Sequence, residues 1–450
     1  MKILQVSHGF PPKEQAGVEL YTFYLSKSLV DLGHQVHVFC REEEASKEEF
    51  SLSEEEVEGL RVTRVANNLT RISDPRIFYD NHFFDDAFMA VLKREKPEIV
   101  HFQHFIALSA HLIRLASEEG RAVALTLHDF FLLCHRVQLL KRDGRLCQGS
   151  LYGLECASCL DGLSGPRDRR TRLFLGMKEW LPFPAIKWTK RFFIPPRYLS
   201  QKGYEVFHRY RFMYEVLKAP RVILTPSRFA RDLFLRYYPF IEPKAFALPL
   251  GMFPVKPASK RLGSREKVVR FCYFGSVLPH KGLHLLIEAF KSLPEGKAHL
   301  TLYGSRNPWT ETTYDRLREE ARGYSVEFRD PFRREALSEA LKDQDVVVLP
   351  SIWPETFSLM IREANMVGLP VIASKIGAIP EALQDGVNGL LFEPGNAMDL
   401  KRCMVRFIEE PELFRQMASK MPEVETIETH ALKMIEIYKG IAAGKRSGTS

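Results

Sequence analysis

One stretch of the chain, residues 345–374, reads DVVVLPSIWPETFSLMIREANMVGLPVIAS and sets the pattern for the rest. Its apolar run from Val346 to Leu349 is typical of a strand that is buried on both faces of a parallel sheet. A helical pattern follows from Thr356 to Val367, and Gly368 and Pro370 end it before a second apolar run. The stretch therefore predicts one β-α-β unit.

Two carboxylates, Glu355 and Glu363, stand eight residues apart after the first predicted strand. Eight residues of helix turn through roughly 800°, which leaves the two ends about 80° apart around the axis. We therefore expect Glu355 in the turn before the helix and Glu363 about two turns inside it. Between them, the amides of Phe357, Ser358 and Leu359 would point out of the helix N-terminus, which suits an anion such as phosphate.

This block resembles the signature of retaining, family-4-type (group 1) glycosyltransferases, which have the GT-B architecture of two Rossmann-like domains. The resemblance rests on Glu355 and Glu363 at this spacing, on the flanking Pro-Ser and Phe-Ser-Leu, and on the later Gly-Leu-Pro-Val and Asn-Gly-Leu. It implies that Glu355 contacts hydroxyls of a donor sugar and that Glu363 holds the ribose of a sugar nucleotide. The alternative is a pair of helix-terminal surface charges, which is the usual setting of Glu.

The composition limits the class of protein. The 450 residues suggest two domains, and 45% apolar with 27% charged residues is ordinary for a globular chain. Seven cysteines without a disulfide pattern favour a reducing cytoplasm, and we expect neither a signal peptide nor a membrane-spanning run of about 20 apolar residues. The net charge of +8 suits nucleic acid, an anionic membrane face or a phosphorylated substrate.

Strands alternate with amphipathic helices through the first half of the chain, which predicts a parallel α/β sheet. The opening strand leads through a loop to a helix without the Gly-x-Gly-x-x-Gly of dinucleotide-binding proteins. In the family that the chain resembles, two adjacent glycines in this loop meet the donor diphosphate. Here the pair is Ala16-Gly17, so Gly17 is the candidate donor contact, with a plain helix-start residue as the alternative.

The resemblance implies four segments along the chain. They are an acceptor-side Rossmann-like domain over 1–248, a linker over 249–268, a sugar-nucleotide-binding Rossmann-like domain over 269–410, and C-terminal helices over 411–450 that cross back to the first domain. The Pro, Gly and Lys content also indicates the linker. An insertion is predicted at about 130–220, where the α/β alternation breaks.

A histidine follows one predicted strand directly. His128 comes after the apolar run from Ala122 to Leu127. Ligands of open α/β sheets bind at the carboxyl ends of strands, so His128 is a candidate site residue. The resemblance implies that a His at this point approaches the sugar or the acceptor. A structural histidine is the alternative.

Four cysteines cluster in the predicted insertion: Cys134, Cys147, Cys156 and Cys159. A Cys-x-x-Cys pair with two more cysteines nearby has the composition of a four-thiolate structural zinc site. The gaps between them are irregular, which leaves unliganded thiols as the alternative. His135 is a replacement for one of the four ligands.

Residues 165–221 interleave cations with aromatic rings. This composition suits the interface of an anionic membrane, single-stranded nucleic acid, or a helical hairpin whose rings pack on the domain. We expect a membrane or a lipid-linked acceptor in preference to nucleic acid, and the hairpin remains open. The residues concerned are Arg167, Arg169, Arg170, Arg172, Phe174, Lys178, Trp180, Phe183, Lys187, Trp188, Lys190, Arg191, Phe192, Phe193 and Arg197.

The second domain is predicted to open with a strand that leads into Gly-Ser-Val-Leu-Pro-His-Lys-Gly. In the family that the chain resembles, an Arg and a Lys of this loop neutralise the donor diphosphate. Lys281 matches the Lys, whereas Ser276 stands where the Arg is expected. Lys281 would then share the charge with the helix N-terminus at 357–359, or with another cation such as Arg306 or Arg334.

Together these features predict sugar transfer, with retention, from a nucleoside-diphosphate sugar to a lipid-linked or polysaccharide-precursor glycan. Lys281 and the helix amides would stabilise the leaving diphosphate, Glu355 and His128 would meet the sugar, and the resemblance implies no divalent metal in catalysis. We expect a cytoplasmic protein, peripheral on the inner membrane face, without nucleic acid. The rivals are a sugar-nucleotide epimerase or phosphorylase of similar fold, and a non-catalytic membrane or nucleic-acid binding protein.

Overall fold

The chain forms two β-sheets with flanking helices. The computed structural model describes residues 1–68, 75–141, 144–147, 149, 156, 159–160, 201–255, 268–306 and 310–444. The cations and rings singled out between Arg167 and Arg197, and much of the predicted linker, lie outside these residues.

The first sheet contains eight strands, which are β1 (Lys2–Ser7), β2 (Gln35–Glu42), β3 (Leu52–Val57), β4 (Leu60–Ala66), β5 (Ile99–Phe102), β6 (Ala122–Thr126), β7 (Val222–Thr225) and β8 (Ala245–Ala247). Their order is β3-β4-β2-β1-β5-β6-β7-β8, and neighbours run parallel except β3 with β4. The central strands β5 and β6 are buried along their whole length, as apolar runs in a sheet covered on both faces require.

Five helices of this domain lie within the described residues: α1 (Gly17–Asp31), α2 (Asp85–Glu95), α3 (His111–Glu118), α4 (Gln201–Val216) and α5 (Arg228–Tyr237). From β1 the chain winds outwards to β2 and β4, and it then returns to β5 on the other side of β1. The strand order thus reverses between β1 and β5. In open α/β sheets, ligands bind in the crevice at the carboxyl ends of the strands beside such a reversal.

The second sheet contains six strands, which are β9 (Val269–Phe274), β10 (Ala298–Tyr303), β11 (Val326–Arg329), β12 (Val346–Leu349), β13 (Val371–Ser374) and β14 (Gly389–Phe392). All neighbours are parallel, in the order β11-β10-β9-β12-β13-β14. The predicted strand at 346–349 is β12, and each of its side chains is at most 1% exposed. The reversal here lies between β9 and β12, so the loops after these strands meet at the ligand edge.

Seven helices within the described residues accompany the second sheet: α6 (Leu283–Lys291), α7 (Glu311–Glu320), α8 (Leu337–Leu341), α9 (Leu359–Met366), α10 (Ile379–Ala382), α11 (Ala397–Glu409) and α12 (Leu413–Ala418). One more, α13 (Ile427–Ala442), follows them in the chain. Helix α9 begins three residues later than the predicted start at Thr356. The reason is local, because Ser358 takes the left-handed conformation, with φ 59° and ψ 84°, and a helix cannot pass through that residue.

The C-terminal helix α13 crosses back to the first domain, as expected. The hydroxyl of Tyr438 lies 2.7 Å from His101 Nδ1 at the end of β5, and Tyr21 of α1 lies 2.7 Å from His430 Nε2. Met252, inside the predicted linker, is hydrogen-bonded to the segment just before α13. The described part of that linker is therefore packed against the C-terminal segment.

Candidate active site

A lysine and a glutamate meet where the loops after β9 and β12 converge. Lys281 Nζ donates to Glu355 Oε1 at 2.7 Å and lies 4.9 Å from the centre of the Trp353 ring. The two side chains are 18% and 8% exposed. Gly282 permits this approach, since a Cβ there would stand 1.9 Å from the Pro350 carbonyl oxygen. Two sequence-predicted residues, 74 positions apart, thus form one ion pair.

The backbone of Glu355 is held by the turn after β13. The Ala378 amide donates to the Glu355 carbonyl at 2.7 Å. Gly377 has a φ of 61°, and a Cβ on it would come within 2.5 Å of the Glu355 carbonyl oxygen. Only glycine fits this close approach in a left-handed conformation, so Gly377 allows the turn after β13 to hold the Glu355 backbone.

The turn before α9 presents polar groups that lack protein partners. Among the described residues, no acceptor is hydrogen-bonded to the amides of Phe357, Ser358 or Leu359. The hydroxyl of Ser358 is also buried without a partner. Arg362 donates to the Phe357 and Ser358 carbonyls and stacks 3.5 Å from the Phe357 ring centre, and burial lowers its pKa to about 10. This end of α9 suits a bound anion.

Glu363 lies inside α9, as the spacing predicts, and is 5% exposed. It forms an ion pair with Arg334, whose guanidinium packs 5.1 Å from the Phe253 ring centre. Burial lowers the pKa of Arg334 to about 10. The other candidate cation, Arg306, is instead held by Asp315 at 2.8 Å on an exposed face. Of these two arginines, the structure brings Arg334 into contact with a predicted site residue.

Ser276 follows β9 on the same loop as Lys281. Ser276 is exposed, and its backbone carbonyl accepts a hydrogen bond from the Tyr273 hydroxyl at 2.7 Å. Burial raises the pKa of Tyr273 far above its usual range, so this hydroxyl stays protonated and remains a donor. The Ser276 side chain supplies no cation, and the loop therefore contributes Lys281 alone to the charge at this edge.

The first domain meets these loops directly. A Cβ on Gly17, the first residue of α1, would lie 3.1 Å from the Leu359 side chain across the cleft. The Thr356 hydroxyl donates to the His128 carbonyl oxygen at 2.7 Å. Gly17 and His128, both predicted from the sequence, therefore lie opposite the turn that precedes α9.

His128 is a buried and neutral residue. It is 8% exposed, its Nε2 lies 2.9 Å from Gln103 Oε1, and its ring meets Tyr21 edge-on at 5.2 Å. Burial lowers the pKa of His128 to about 3, with the neighbouring His104 acting in the same direction. At neutral pH the imidazole is thus available for hydrogen bonding without a charge.

Sequence reasoning missed two acid–imidazole pairs at the carboxyl edge of the first sheet. His8 Nε2 lies 2.9 Å from Glu19 Oε1, and His104 Nε2 lies 2.9 Å from Asp129 Oδ2, with the two imidazole rings 4.4 Å apart. Although burial raises it, the hydrogen bond from His8 keeps the pKa of Glu19 below its usual range. The signal was present, because His8 and His104 closely follow β1 and β5, the strands at the reversal.

The four cysteines do not form the predicted zinc site. Four thiolates on one zinc would lie about 3.8 Å apart. Among the residues that the structure describes, no three of the sulfurs of Cys134, Cys147, Cys156 and Cys159 come within 4.8 Å of one another, and no disulfide joins them. Cys134 and Cys147 instead pack against the apolar core of the first domain. The number of residues between two cysteines does not determine whether their thiols meet, because packing against the core can turn each side chain in a different direction.

One part of the basic and aromatic segment, within α4, lies inside the described residues. There Val206 and Met213 are buried, and Arg209 stacks between the rings of Tyr79 and Phe131, 5.4 and 5.0 Å from their centres. This part packs on the domain, as the hairpin alternative expected. Among the described helices, none has the length and apolar character needed to cross a membrane.

Two mainly parallel sheets with facing ligand loops, joined by a C-terminal helix that crosses back, define the GT-B class of two-domain proteins. Residues 255–424 match the family Glycosyl transferases group 1, and residues 16–154 match Glycosyltransferase Family 4. Both models describe glycosyltransferases, one matching each half of the chain, and the chain is a glycosyltransferase.

Solved structures show the same architecture. A sucrose-phosphate synthase from Thermosynechococcus elongatus superimposes with a TM-score of 0.70 at 19% identity, over 99% of this chain and 100% of that one. Anabaena HepE in complex with UDP and glucose gives a TM-score of 0.62 at 16% identity, over 98% and 99% of the two chains. At such identities the likeness establishes the fold.

Curated relatives match over shorter stretches. A D-inositol 3-phosphate glycosyltransferase of Streptomyces griseus is 35% identical over 94 residues, which are 21% of this chain and 20% of the relative. The Arabidopsis thaliana sulfoquinovosyl transferase is 31% identical over 157 residues, 34% of this chain and 29% of the relative. Even the longest of these matches, to a Thermomonospora curvata protein, spans 45% of the relative's length.

Proposed function

We propose that the protein moves a sugar from a nucleoside-diphosphate sugar to an acceptor hydroxyl, with retention at the anomeric carbon. The observation that carries this proposal is that Lys281, on the loop after β9, meets Glu355 in the turn before α9, with Glu363 inside that helix, at the reversal of the second sheet. Neighbouring structures support the donor class, since HepE was solved with UDP-glucose and an Escherichia coli neighbour with UDP-2-fluoro glucose.

The leaving diphosphate is the group that this site would stabilise. When the bond from the anomeric carbon to the diphosphate oxygen breaks, its electron pair stays on that oxygen. Lys281 and the amides of 357–359 are fixed donors for this charge, in a largely buried place where such donors act most strongly. Glu363 accepts from the ribose hydroxyls, and Arg334, which pairs with it, is the candidate second cation.

The sugar would lie between Glu355 and His128. Glu355 orients the sugar hydroxyls, the neutral His128 supplies a hydrogen bond from the first domain, and the backbone at Gly17 faces the donor. Retention then follows from front-face attack, in which the acceptor hydroxyl bonds to the anomeric carbon and its proton passes to a diphosphate oxygen. The configuration of the first-formed product, measured by NMR, tests this: inversion would refute it.

The acceptor-side crevice of the first domain carries unsatisfied polar atoms. His8 Nδ1 and Glu19 Oε2 are buried without a hydrogen-bond partner among the described residues. We place an acceptor hydroxyl there, because a polyhydroxylated glycan offers both a donor and an acceptor to such atoms. Glu19→Gln should then raise the KM for acceptor while the Kd for donor stays unchanged.

The acceptor is proposed to be a lipid-linked or polysaccharide-precursor glycan presented at an anionic membrane face. The support is the net charge of +8 and the cations and rings between residues 165 and 200, which lie outside the described residues. Each cation near such a surface contributes about 1 kcal/mol. Replacing Arg169, Arg170 and Arg172 by Ser should therefore reduce binding to acidic-lipid vesicles at low salt. Replacing Trp180 and Trp188 by Ser should remove the fraction of vesicle binding that survives high salt. If neither the arginine variant nor the tryptophan variant changes vesicle binding, a soluble acceptor would be favoured.

A panel of nucleotide sugars, with product analysis by mass spectrometry, separates the proposal from its rivals. Release of nucleoside diphosphate that requires an acceptor, with a glycosylated product, is the expected result. Conversion of the donor into an isomer without release would indicate an epimerase, and dependence on inorganic phosphate would indicate a phosphorylase. If donors bind but no combination of donor and acceptor is converted into product, the non-catalytic alternative would be favoured.

A further inference from the structure

A group of imidazole and carboxylate side chains lies at the start of α2 and α3, and none of them belongs to the candidate active site. Asp80, His82 and His111 each offer an atom able to ligate a metal, and these atoms all lie within 4.8 Å of one another. No other three His, Cys, Asp or Glu side chains in the described part of the chain converge as closely. The three come from two segments, one before α2 and one that opens α3.

One distance within this group equals that between ligands of one ion. His82 Nε2 lies 3.4 Å from Asp80 Oδ1, and a ligand atom of His111 lies within 4.8 Å of a ligand atom of each of them. Ligands on a tetrahedral zinc with bonds of 2.0–2.2 Å stand about 3.4 Å apart. Asp80 Oδ1 is buried and makes no hydrogen bond among the described residues, so its lone pairs are available to an ion.

The second nitrogen of His82 is already oriented. Its Nδ1 lies 2.8 Å from Asp85 Oδ2. A histidine that binds a metal usually directs its other ring N–H to a carboxylate, which fixes the tautomer and turns the remaining lone pair toward the ion. With Nδ1–H donated to Asp85, the lone pair of His82 is on Nε2, the atom that faces Asp80.

Backbone contacts hold the two segments in register. The Asn81 amide donates to the Ser109 hydroxyl at 3.0 Å, and the Ala110 amide donates to the Tyr79 carbonyl at 2.8 Å. The residues on either side of Asp80 are therefore tied to those just before His111. The cluster is arranged by the fold before any ion binds.

We propose that Asp80, His82 and His111 bind one divalent transition-metal ion of the zinc class, with Asp85 as the outer acceptor that orients His82. Two imidazoles and one carboxylate suit zinc, cobalt or nickel rather than magnesium or calcium, which prefer oxygen ligands. The positive ends of α2 and α3 oppose a cation, and the carboxylates of Asp80 and Asp85 offset them. One ion would cross-link the starts of the two helices.

Cobalt titration of the full-length protein, freed of metal by a chelator, tests the proposal. Cobalt held by nitrogen and oxygen ligands shows visible d–d bands without the sulfur charge-transfer bands that the cysteines would add. We expect one equivalent of cobalt, displaced by zinc, and a Tm that rises with added zinc. Asp85→Asn should weaken the affinity by about 10-fold to 100-fold.

The variants His82→Ala, His111→Ala and Asp80→Asn should each lose the d–d bands and the zinc-dependent rise in Tm. His299→Ala is the matched control, a partly exposed histidine of the second domain that also lies beside a carboxylate, and it should keep both. The His82 side chain is 63% exposed, so His82→Ala should fold normally. Bands that persist in the variants, sulfur charge-transfer bands alone, or no bound cobalt would overturn the proposal.

Discussion

Replacing Lys281 by Ala removes the cation that we expect on the leaving diphosphate. Its Nζ donates to Glu355 Oε1 at 2.7 Å, and its side chain is 18% exposed. One hydrogen bond to a charged group contributes about 1.5–3 kcal/mol, and loss of one fixed donor to a transition state costs about 10²-fold to 10³-fold in turnover. Because Ser276 adds no cation to this loop, we expect Lys281→Ala to lose turnover by about 10²-fold or more.

The same change affects stability, and a double variant separates the two effects. Lys281→Ala leaves the Glu355 carboxylate, which is 8% exposed, without its partner, and an unpaired charge in a buried place destabilises the fold. The double variant Lys281→Ala/Glu355→Gln removes that charge. It should recover the free energy of unfolding, measured in urea, without recovering turnover.

The assay is acceptor-dependent release of nucleoside diphosphate. Lys297→Ala is the matched control, an exposed lysine of the same domain, and it should turn over at the wild-type rate. Lys281→Arg keeps the charge and should lose less than Lys281→Ala. A folded Lys281→Ala variant with near wild-type turnover would refute the assignment of Lys281 to the diphosphate.

Three more changes test the site. Glu363→Gln should weaken donor binding by about 1–2 kcal/mol in titration calorimetry, since an amide accepts more weakly from the ribose hydroxyls. Gly377→Ala should lower turnover more than Gly296→Ala, because both glycines have positive φ (61° and 69°) but the new Cβ at Gly377 meets the Glu355 backbone, whereas that at Gly296 meets nothing within 4 Å. Burial lowers the pKa of His128 to about 3. Below pH ~6.5 the unfolded chain therefore binds a proton that the folded chain does not, and the free energy of unfolding decreases as the pH is lowered. His128→Gln should reduce this slope, by up to about 1.4 kcal/mol per pH unit, in urea unfolding from about pH 7 to pH 5.

The alternation of strands and helices could be predicted because it depends on local pattern. The apolar run at 346–349 became β12, and a helix followed it before Gly368, as the periodicity indicated. The start of α9 could not be predicted, since the left-handed conformation of Ser358 is uncommon for a residue other than glycine and no sequence pattern indicates it. Thr356, two residues earlier, is hydrogen-bonded to His128 in the other domain.

Partners of the site residues were harder to predict than the residues themselves. The resemblance pointed to Lys281 and Glu355 separately, but their ion pair follows from the reversal between β9 and β12, which brings the two loops together. The His8–Glu19 pair was missed because it depends on how the loop between β1 and α1 folds, which brings the end of β1 beside the first turn of α1. The zinc prediction failed because it relied on spacing alone.

Hydrogen bonds across the cleft hold the two domains together at the site. Tyr24 of α1 donates to Glu335 at 2.9 Å, Thr356 donates to the His128 carbonyl at 2.7 Å, and the Glu381 carboxylate accepts from the first amides of α5 at 2.7 and 3.0 Å. Such bonds contribute about 0.5–1.5 kcal/mol each, or somewhat more where a carboxylate accepts. A donor sugar would lie beside the second of these bonds, since the sugar is proposed to bind between Glu355 and His128.

The two places where the chain passes from one domain to the other, at Met252 and at residues 425–427, are held by backbone hydrogen bonds. The Met252 amide donates to the Glu425 carbonyl at 2.8 Å, and the Ile427 amide donates to the Met252 carbonyl at 2.9 Å, so the two strands of chain that join the domains are hydrogen-bonded to each other. Beyond them, Tyr438 of α13 is fully buried in the first domain. Breaking the few cleft bonds costs far less than extracting α13. An opening of the cleft that left these contacts intact would turn about residues 252 and 425–427, where the two crossings of the chain lie side by side, and it would leave the core of each domain unchanged.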